Sequence, residues 1–342
     1  MRPPQGSAVD ATCATVAELL AQASCRKLTV TDLPPIPIVL RTRLAHATLQ
    51  AVADDCGADI LHIKGAAVDA SLLPAREDSL ASASAEERAL PRISADADVL
   101  VRPAHLKRFL AALKECGWRT LLNFDTGGGA DHSTVLWHDE LSEADVHRSF
   151  PGIRLRPELA FERLWEDRAT QVIAHRPCIV PSVDAQRLVL LLHAARNRHG
   201  KEGDVRYAWT EATVEEKDRV SALALELHAE VALAAATGRL DEYADRPEYD
   251  LWRLWTTSGA RKFEFWRARL KASRNQGERI GVVANPLRLK VDVVELQLGR
   301  KPTPREVLRS YSSRLRKDLH DIRMLFGRRF ANLRTTLPKR HR

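Results

Sequence analysis

The segment S-A-D-A-D-V-L-V at residues 94–101 constrains the fold more than any other part of the chain. If it forms a β-strand, its period of two places Asp96 and Asp98 on one face and the apolar residues that alternate with them on the other. Two carboxylates held side by side repel each other unless a cation neutralises them, and carboxylate oxygens are hard ligands of the kind that Mg²⁺ prefers. The segment therefore predicts a strand with one face in the core and a divalent-metal site on the other.

A third carboxylate follows in E-A-D-V-H at residues 143–147. The same alternation puts Asp145 and His147 on one face, so a neighbouring strand could bring Asp145 to the same edge as the first two carboxylates. Three such carboxylates can hold two ions that bridge a triphosphate and an attacking hydroxyl. His147, together with His132, is a candidate for contact with substrate or for ordering a carboxylate; the alternative is a structural role for both histidines.

The motif I-K-G-A-A at residues 63–67 ends the preceding apolar strand and predicts the phosphate-binding side of the same site. Gly65 permits a close approach of the backbone, a helix expected over residues 66–73 would offer free N–H groups, and Lys64 adds a point charge. Arg92 lies four residues before the first aspartate and could reach the same phosphates. We therefore predict that Lys64, Gly65 and Arg92 bind these phosphates.

The pattern of helices and strands indicates an α/β or α+β protein, because helical and strand periods alternate up to about residue 150 and helical runs dominate afterwards. An exposed insertion is expected over residues 74–90, which lack a core pattern. The predicted organisation is an N-terminal helical segment (1–54), a mixed core (55–156), a helical domain (157–300) and a basic amphipathic C-terminal helix with its tail (301–342).

The net charge of +8 is concentrated at the C-terminal end. Residues 301–342 hold 13 Lys or Arg and 3 Asp or Glu, a net charge of +10, so residues 1–300 carry about −2. The body therefore has no general attraction to a long nucleic acid. The basic helix is expected to be solvated; the sharper alternatives are contact with an anionic membrane surface or with an acidic partner.

The compartment expected from the sequence is the cytoplasm, with peripheral membrane contact through the basic helix as a further possibility. No apolar stretch approaches the roughly 20 residues that cross a bilayer, and the N-terminal residues do not have the pattern of a secretion signal. The five cysteines are scattered and form no C-x-x-C pair, which argues against a disulfide framework or a zinc site.

The order of these motifs resembles the uncharacterised nucleotidyltransferase family within the DNA polymerase β-like superfamily. The resemblance covers roughly residues 55–150 and is carried by HIKGAA, PRISADADVLV, a helix that ends in ECGW, DHSTVLWH and EADVHRSF. It implies a nucleotidyltransferase fold, with a small mixed sheet flanked by N-terminal helices and a C-terminal helical domain. The family's usual Gly-Ser or Gly-Gly is replaced here by Gly65-Ala66.

The resemblance also implies residue roles. Asp96 and Asp98 would be the first two metal ligands, and Asp145 would be the third ligand and a candidate base, while Lys64 and Gly65 fall at the glycine motif beside the nucleotide phosphates. The predicted function is transfer of a nucleoside monophosphate from an NTP such as ATP to a hydroxyl of an unknown acceptor, with Mg²⁺ or Mn²⁺ bound.

Two other classes of protein stay open at this point. A catalytically inactive protein could keep the fold for binding or assembly. A glycosyltransferase could use its D-x-D motif to hold the metal of a sugar nucleotide; that fold would need a longer nucleotide-binding βαβ region before the motif and would not require Asp145.

Overall fold

The structure is a computed structural model that describes residues 36–74, 94–124, 132–197, 202–257, 262–285 and 288–316. Several sequence expectations lie outside these residues: the first 35 residues of the N-terminal helical segment, most of the insertion over residues 74–90, Arg92 and the tail after residue 316. In the described part of the chain, no helix combines the length and apolar character needed to span a membrane.

A five-stranded mixed sheet forms the centre of the N-terminal half. Its strands are β1 (Ile60–His62), β2 (Asp96–Val101), β3 (Arg119–Leu122), β4 (Ser133–Trp137) and β5 (Glu143–His147). Their order across the sheet is β1-β2-β5-β4-β3; β2 and β5 are parallel, and the other neighbours are antiparallel. The mixed class of helices and strands expected from the sequence is confirmed, with a small mixed sheet at this position.

Two helices cover the apolar face of this sheet, α1 (Ile38–Cys56) and α2 (Leu106–Glu115). Ala97 and Val99 of β2 are fully buried in one cluster with Leu49 of α1 and Phe109 of α2. This is the alternation predicted for the D-A-D-V segment, in which the residues between and after the aspartates enter the core. The aspartates consequently face away from these two helices.

The C-terminal half is mainly helical. Its helices are α3 (Pro157–Glu166), α4 (Val183–Arg196), α5 (Glu202–Val205), α6 (Val214–Glu226), α7 (Glu230–Ala236), α8 (Tyr249–Thr256), α9 (Lys262–Ala272), α10 (Gln276–Ala284), α11 (Val291–Leu298) and α12 (304–316). Ser182 caps α4, and Thr213 with Glu216 forms a capping box at α6.

Helix α4 joins the two halves, because it is buried on nearly all sides. Its residues Leu188 and Leu192 belong to one hydrophobic cluster with Leu61 of β1 and Leu100 of β2. A helix that is apolar all round is a central core helix rather than a surface one. The core is therefore continuous across residue 157, and the division into domains at that point stays a prediction.

A β-hairpin interrupts the predicted helical region. It consists of β6 (Ala169–Ile173) and β7 (Arg176–Val180), joined by a two-residue turn at Ala174 and His175. Both turn residues have positive φ, 46° and 63°, a conformation that usually selects Asn, Asp or Gly. Since neither residue is of that type, the sequence carries no turn signal here, and the hairpin is an addition to the helices that were expected to dominate this region.

The helix expected over residues 66–73 is also absent. Two short 3₁₀ helices take its place, Gly65–Ala67 and Ala70–Leu72. Val68 and Asp69 between them have extended backbone, and Asp69 accepts a hydrogen bond from the N–H of Ser71, which caps the second turn. Side-chain capping of this kind competes with a continuous helix.

Helix α3 offers a matched test of the core. We expect Phe161→Ala, which removes a fully buried ring, to lower the free energy of unfolding by about 3–5 kcal/mol. Leu159→Ala on the same helix removes a side chain that is about half exposed, so its effect should stay within about 0.5 kcal/mol. Urea unfolding of both variants checks this, and equal effects would contradict the packing described.

Candidate active site

Two carboxylates face each other across the parallel pair of strands. Asp98 of β2 is in register with Asp145 of β5, so their side chains leave the sheet side by side on the same face. His147 lies two residues farther along β5 and shares that face. One ligand atom from each of the three residues lies within 4.8 Å of the others. The sequence prediction that β5 brings Asp145 to the D-x-D segment is confirmed in this respect.

Asp98 is held by a lysine from the end of β1. Lys64 Nζ lies 2.7 Å from Asp98 Oδ1, and only 10% and 2% of the two side chains are exposed. The N–H of Ile63 donates to the backbone carbonyl of Asp98 and aligns the two segments. Burial alone would raise the pKa of Asp98, but the charge of Lys64 and the hydrogen bond with His147 hold this pKa below its usual range. Asp98 is therefore a buried carboxylate that stays charged.

Lys64 is also charged in this environment. Burial would lower the pKa of Lys64, but the neighbouring carboxylates, Asp98 first, raise it above its ordinary value. The ammonium that the sequence assigned to nucleotide phosphates is thus primarily the partner of a carboxylate. It also reaches the wall of the cavity described below, so its predicted phosphate contact is sterically open.

His147 completes the set of contacts on Asp98. Its Nε2 lies 2.9 Å from Asp98 Oδ1 and 3.9 Å from Asp145 Oδ2. Because a carboxylate can only accept, Nε2 carries the hydrogen in this arrangement. The same nitrogen would have to release that hydrogen to bind a metal, so orientation of Asp98 and metal ligation are alternative roles for His147. Its predicted contact with substrate is a third role, which the geometry leaves open.

Asp145 differs from Asp98 in its environment. Burial raises the pKa of Asp145 to about 6. The neighbouring His147 opposes this shift, and the negative charge of Asp98 adds to it. About a quarter of its side chain is exposed, towards a cavity. Two carboxylates opposite each other in the sheet therefore have pKa values shifted in opposite directions.

Asp96 occupies the outer end of the D-x-D segment. Its Oδ1 accepts a hydrogen bond of 2.9 Å from Ser94 Oγ, and it lies outside the three-residue cluster. Its charge also raises the pKa of Asp145, although burial and the charge of Asp98 contribute more. Its role as a metal ligand stays a prediction.

The charges of these residues fit a single divalent cation. Asp96, Asp98 and Asp145 together carry three negative charges when ionised, and Lys64 supplies one positive charge. One ion of charge +2 balances the remainder, and carboxylate oxygens with an imidazole nitrogen are an ordinary donor set for such an ion. The sequence analysis allowed for two ions, and the number of ions stays a prediction.

Gly65 lies in a buried turn behind the carboxylates. Its φ is +60°, and a Cβ atom added to it would lie 3.1 Å from Ser94 Oγ and 3.4 Å from His46 Nε2. The N–H groups of Ala67 and Val68 donate to carbonyls within the same turn. The turn is buried and is not part of the described lining of the cavity. The nucleotide-binding role of Gly65 therefore stays a prediction from the resemblance.

A buried pair of histidines supports the glycine turn from below. His46 Nδ1 and His62 Nδ1 are 2.8 Å apart, and His62 Nε2 is 3.2 Å from Gln50 Oε1, which also accepts the N–H of Ile179. His62 Nε2 must therefore be the donor to Gln50, His62 Nδ1 an acceptor and His46 Nδ1 the donor between the rings. Burial lowers the pKa of His46 to about 4, so both rings are neutral at neutral pH.

A cavity of about 210 Å³ opens beside Asp145. The strand side of its wall contains Lys64, Asp145 and His147, and α4 contributes His193, Arg196 and Asn197. His132, at the start of β4, bridges the two sides: its ring stacks on His147 at a centroid distance of 5.5 Å, and its Nε2 lies 3.5 Å from Arg196 Nη1. Sequence reasoning missed Arg196; the available signal was an arginine directly after the apolar run at residues 188–195.

Comparisons with known proteins add little to this geometry. No protein-family model matches the chain, and no curated protein matches it. Among solved structures, the chain is similar to the antibiotic-resistance factor ANT(2'')-Ia in solution, with 14% identity and a TM-score of 0.30, over 60% of this chain and 93% of that one. A likeness at this level assigns neither a fold nor a function, so the site is interpreted from its own residues.

The raised pKa of Asp145 predicts a pH-dependent effect in metal-free protein. Its folded-state pKa of about 6 exceeds the ordinary value of 3.8, so its contribution to stability is fully present below about pH 4 and is lost as pH rises through 6. Between pH 4 and pH 7.5, the free energy of unfolding of Asp145→Asn should increase relative to that of wild type by about 2–3 kcal/mol. Urea unfolding in EDTA across this range measures it; a constant difference would contradict the assignment.

Two glycines provide a test of the close packing behind Asp96. Gly57 and Gly65 have similar positive φ values, +67° and +60°, but a Cβ at Gly57 would meet no atom within 4 Å. We expect Gly57→Ala to cost about 1–2 kcal/mol of stability from backbone strain alone, and Gly65→Ala to cost more because Ser94 and His46 must also move. Thermal unfolding of the two variants gives the comparison, and an equal loss would show that the turn is not tightly packed.

Proposed function

We propose that this protein is a metal-dependent nucleotidyltransferase, which moves a nucleoside monophosphate from an NTP to a hydroxyl group of an acceptor. The observation that carries the proposal is the pairing of Asp98 with Asp145 on neighbouring parallel strands, with His147 in reach and a cavity beside them. The acceptor could be a small molecule, a sugar, a peptide or a protein side chain.

In the proposed reaction the acceptor oxygen forms a bond to the α-phosphorus as the bond from that phosphorus to the bridging oxygen breaks. Pyrophosphate leaves with the electron pair of the broken bond, and the hydroxyl proton passes to the Asp145 carboxylate. Asp145 suits this role because it faces the cavity where the acceptor would enter, and a bound divalent cation would keep its carboxylate ionised and able to accept the proton.

The remaining residues hold the site in place. Asp98, Asp145 and His147 would hold Mg²⁺ or Mn²⁺, which would polarise the phosphoryl oxygens and acidify the attacking hydroxyl. Lys64 keeps Asp98 ionised and fixed in position, so little reorganisation is needed when a ligand enters.

The two alternatives to a nucleotidyltransferase, a glycosyltransferase and an inactive binding protein, differ in the structure that they require. A D-x-D glycosyltransferase would need a parallel βαβ unit before the motif, whereas the described strand that precedes β2 is β1, which is short and antiparallel to it. The position of Asp145 opposite Asp98 on the neighbouring parallel strand also favours nucleotidyl transfer. A catalytically inactive binding protein shares all of this geometry and is separated from an enzyme only by an activity measurement.

The basic C-terminal helix suggests a second contact for the protein. Residues 304–316 are helical and carry an excess of arginine. We keep the proposal that this helix contacts an anionic membrane surface or an acidic partner, since its charge contrasts with the slightly acidic body. Sedimentation with anionic vesicles, compared with neutral ones, tests it.

Incubation with each α-labelled NTP, Mg²⁺ or Mn²⁺ and cell extract tests the enzymatic proposal. We expect label on an acceptor with wild-type protein and a loss of at least about 100-fold in Asp145→Asn, which removes both a ligand and the base. Intact-mass measurement and radiolabel detection identify the class of the labelled acceptor.

Asp139→Asn is the matched control, because Asp139 is an exposed carboxylate in the loop between β4 and β5 and should not affect transfer. Asp98→Asn serves as a second variant, provided that its unfolding transition shows an intact fold, since it leaves Lys64 without its partner. If wild-type protein transfers no label and binds no NTP with metal present, the inactive binding protein is the better description.

A further inference from the structure

The lining of the cavity beside Asp145 contains two cations and several hydrogen-bond donors. Among the described residues that line it, Asp145 is the single carboxylate, while Lys64 and Arg196 are cations and three more are histidines. A cavity with this composition favours an anionic ligand that reaches the carboxylate together with a metal ion.

Arg196 is held in a defined orientation at the end of α4. Its guanidinium lies 5.0 Å from the centre of the Trp255 ring of α8 and 3.5 Å from His132. Burial, followed by repulsion from Arg269, lowers the pKa of Arg196 to about 10, so the group is still charged at neutral pH. A planar guanidinium is the side chain whose geometry matches phosphate oxygens, with which it forms parallel hydrogen bonds.

The size of the cavity points to part of a nucleotide. At about 210 Å³ it is smaller than the roughly 300–1,000 Å³ of pockets that enclose whole drug-sized ligands. Its volume therefore corresponds to part of a nucleotide, such as its phosphates, with the remainder extending beyond the described lining. The glycine turn is buried and uses the N–H groups of Ala67 and Val68 internally, whereas Lys64 and the end of α4 both line the cavity and can face a phosphate.

We propose that Arg196, with His132 beside it, binds the terminal phosphates of the nucleotide and the pyrophosphate that leaves. The phosphates are thus anchored by helix α4 rather than by the Gly65 turn. The inference rests on the proposed function only in naming a nucleotide as the ligand. The affinity of the cavity for a polyphosphate can be measured without any transfer reaction.

Isothermal titration with Mg²⁺ and inorganic tripolyphosphate tests the inference, with pyrophosphate, NTPs and unphosphorylated adenosine as further probes. We expect Arg196→Gln to weaken tripolyphosphate binding by about 10- to 100-fold, in line with the loss of charged hydrogen bonds. Arg196→Lys should be intermediate, since it keeps the charge but loses the planar fork. Adenosine should not bind, and NTPs should show the same dependence on Arg196 as tripolyphosphate.

Arg219→Gln is the control, because it removes an exposed arginine of α6 and should leave tripolyphosphate affinity unchanged. Mn²⁺ binding and thermal unfolding of each variant show whether the carboxylate cluster and the fold persist; if Arg196→Gln does not fold, Arg196→Lys carries the comparison. Equal tripolyphosphate affinity in wild type and in a folded Arg196 variant overturns the inference.

The outcomes also separate this inference from the proposed enzyme. Binding that depends on Arg196 without label transfer supports the inference and contradicts the enzyme. Wild-type protein that binds neither tripolyphosphate nor any NTP overturns both.

Discussion

The ion pair between Lys64 and Asp98 ties together the elements on which the site depends. A carboxylate with 2% of its side chain exposed is costly unless its charge is compensated, and here an ammonium and an imidazole contact the same oxygen. Lys64 comes from the end of β1, Asp98 from β2 and His147 from β5. The pair can form only when these three strands are in their observed register, so removal of one partner would leave a buried charge behind and destabilise all three.

The apolar side of the sheet makes this arrangement possible. Ala97 and Val99 anchor β2 in the core against α1 and α2, which leaves the aspartates on the opposite face. The sharp turn after Lys64 then passes beneath Ser94, which is hydrogen-bonded to Asp96. The neutral pair of His46 and His62 fills the space under this turn without adding charge. Polar groups with fixed hydrogen bonds therefore surround the carboxylates and limit their movement.

Much of the arrangement of the site residues could be predicted from the sequence, since their placement on the strands depends on local periodicity. The alternation in D-A-D-V and in E-A-D-V-H placed Asp98, Asp145 and His147 on the faces where the structure has them. The partner of Lys64 could not be predicted, because a point charge beside a glycine is compatible with a phosphate or with a carboxylate. The β6–β7 hairpin was missed because its turn lacks the usual residues. The position of Arg196 depends on how α4 packs against the sheet, which no local pattern reveals.

Asp98 and Asp145 lie in different environments, which suit the two carboxylates to different chemical roles. Asp98 is surrounded by positive charge and donors, so it stays ionised over the whole physiological range and cannot exchange a proton. Asp145, one strand away, is destabilised as an anion by burial and by Asp98 itself, and it opens onto the cavity. Environments that separate the pKa values of neighbouring carboxylates are a means by which active sites divide roles between them. The fixed carboxylate suits the holding of a cation, and the adjustable one suits proton transfer at the surface where a ligand arrives.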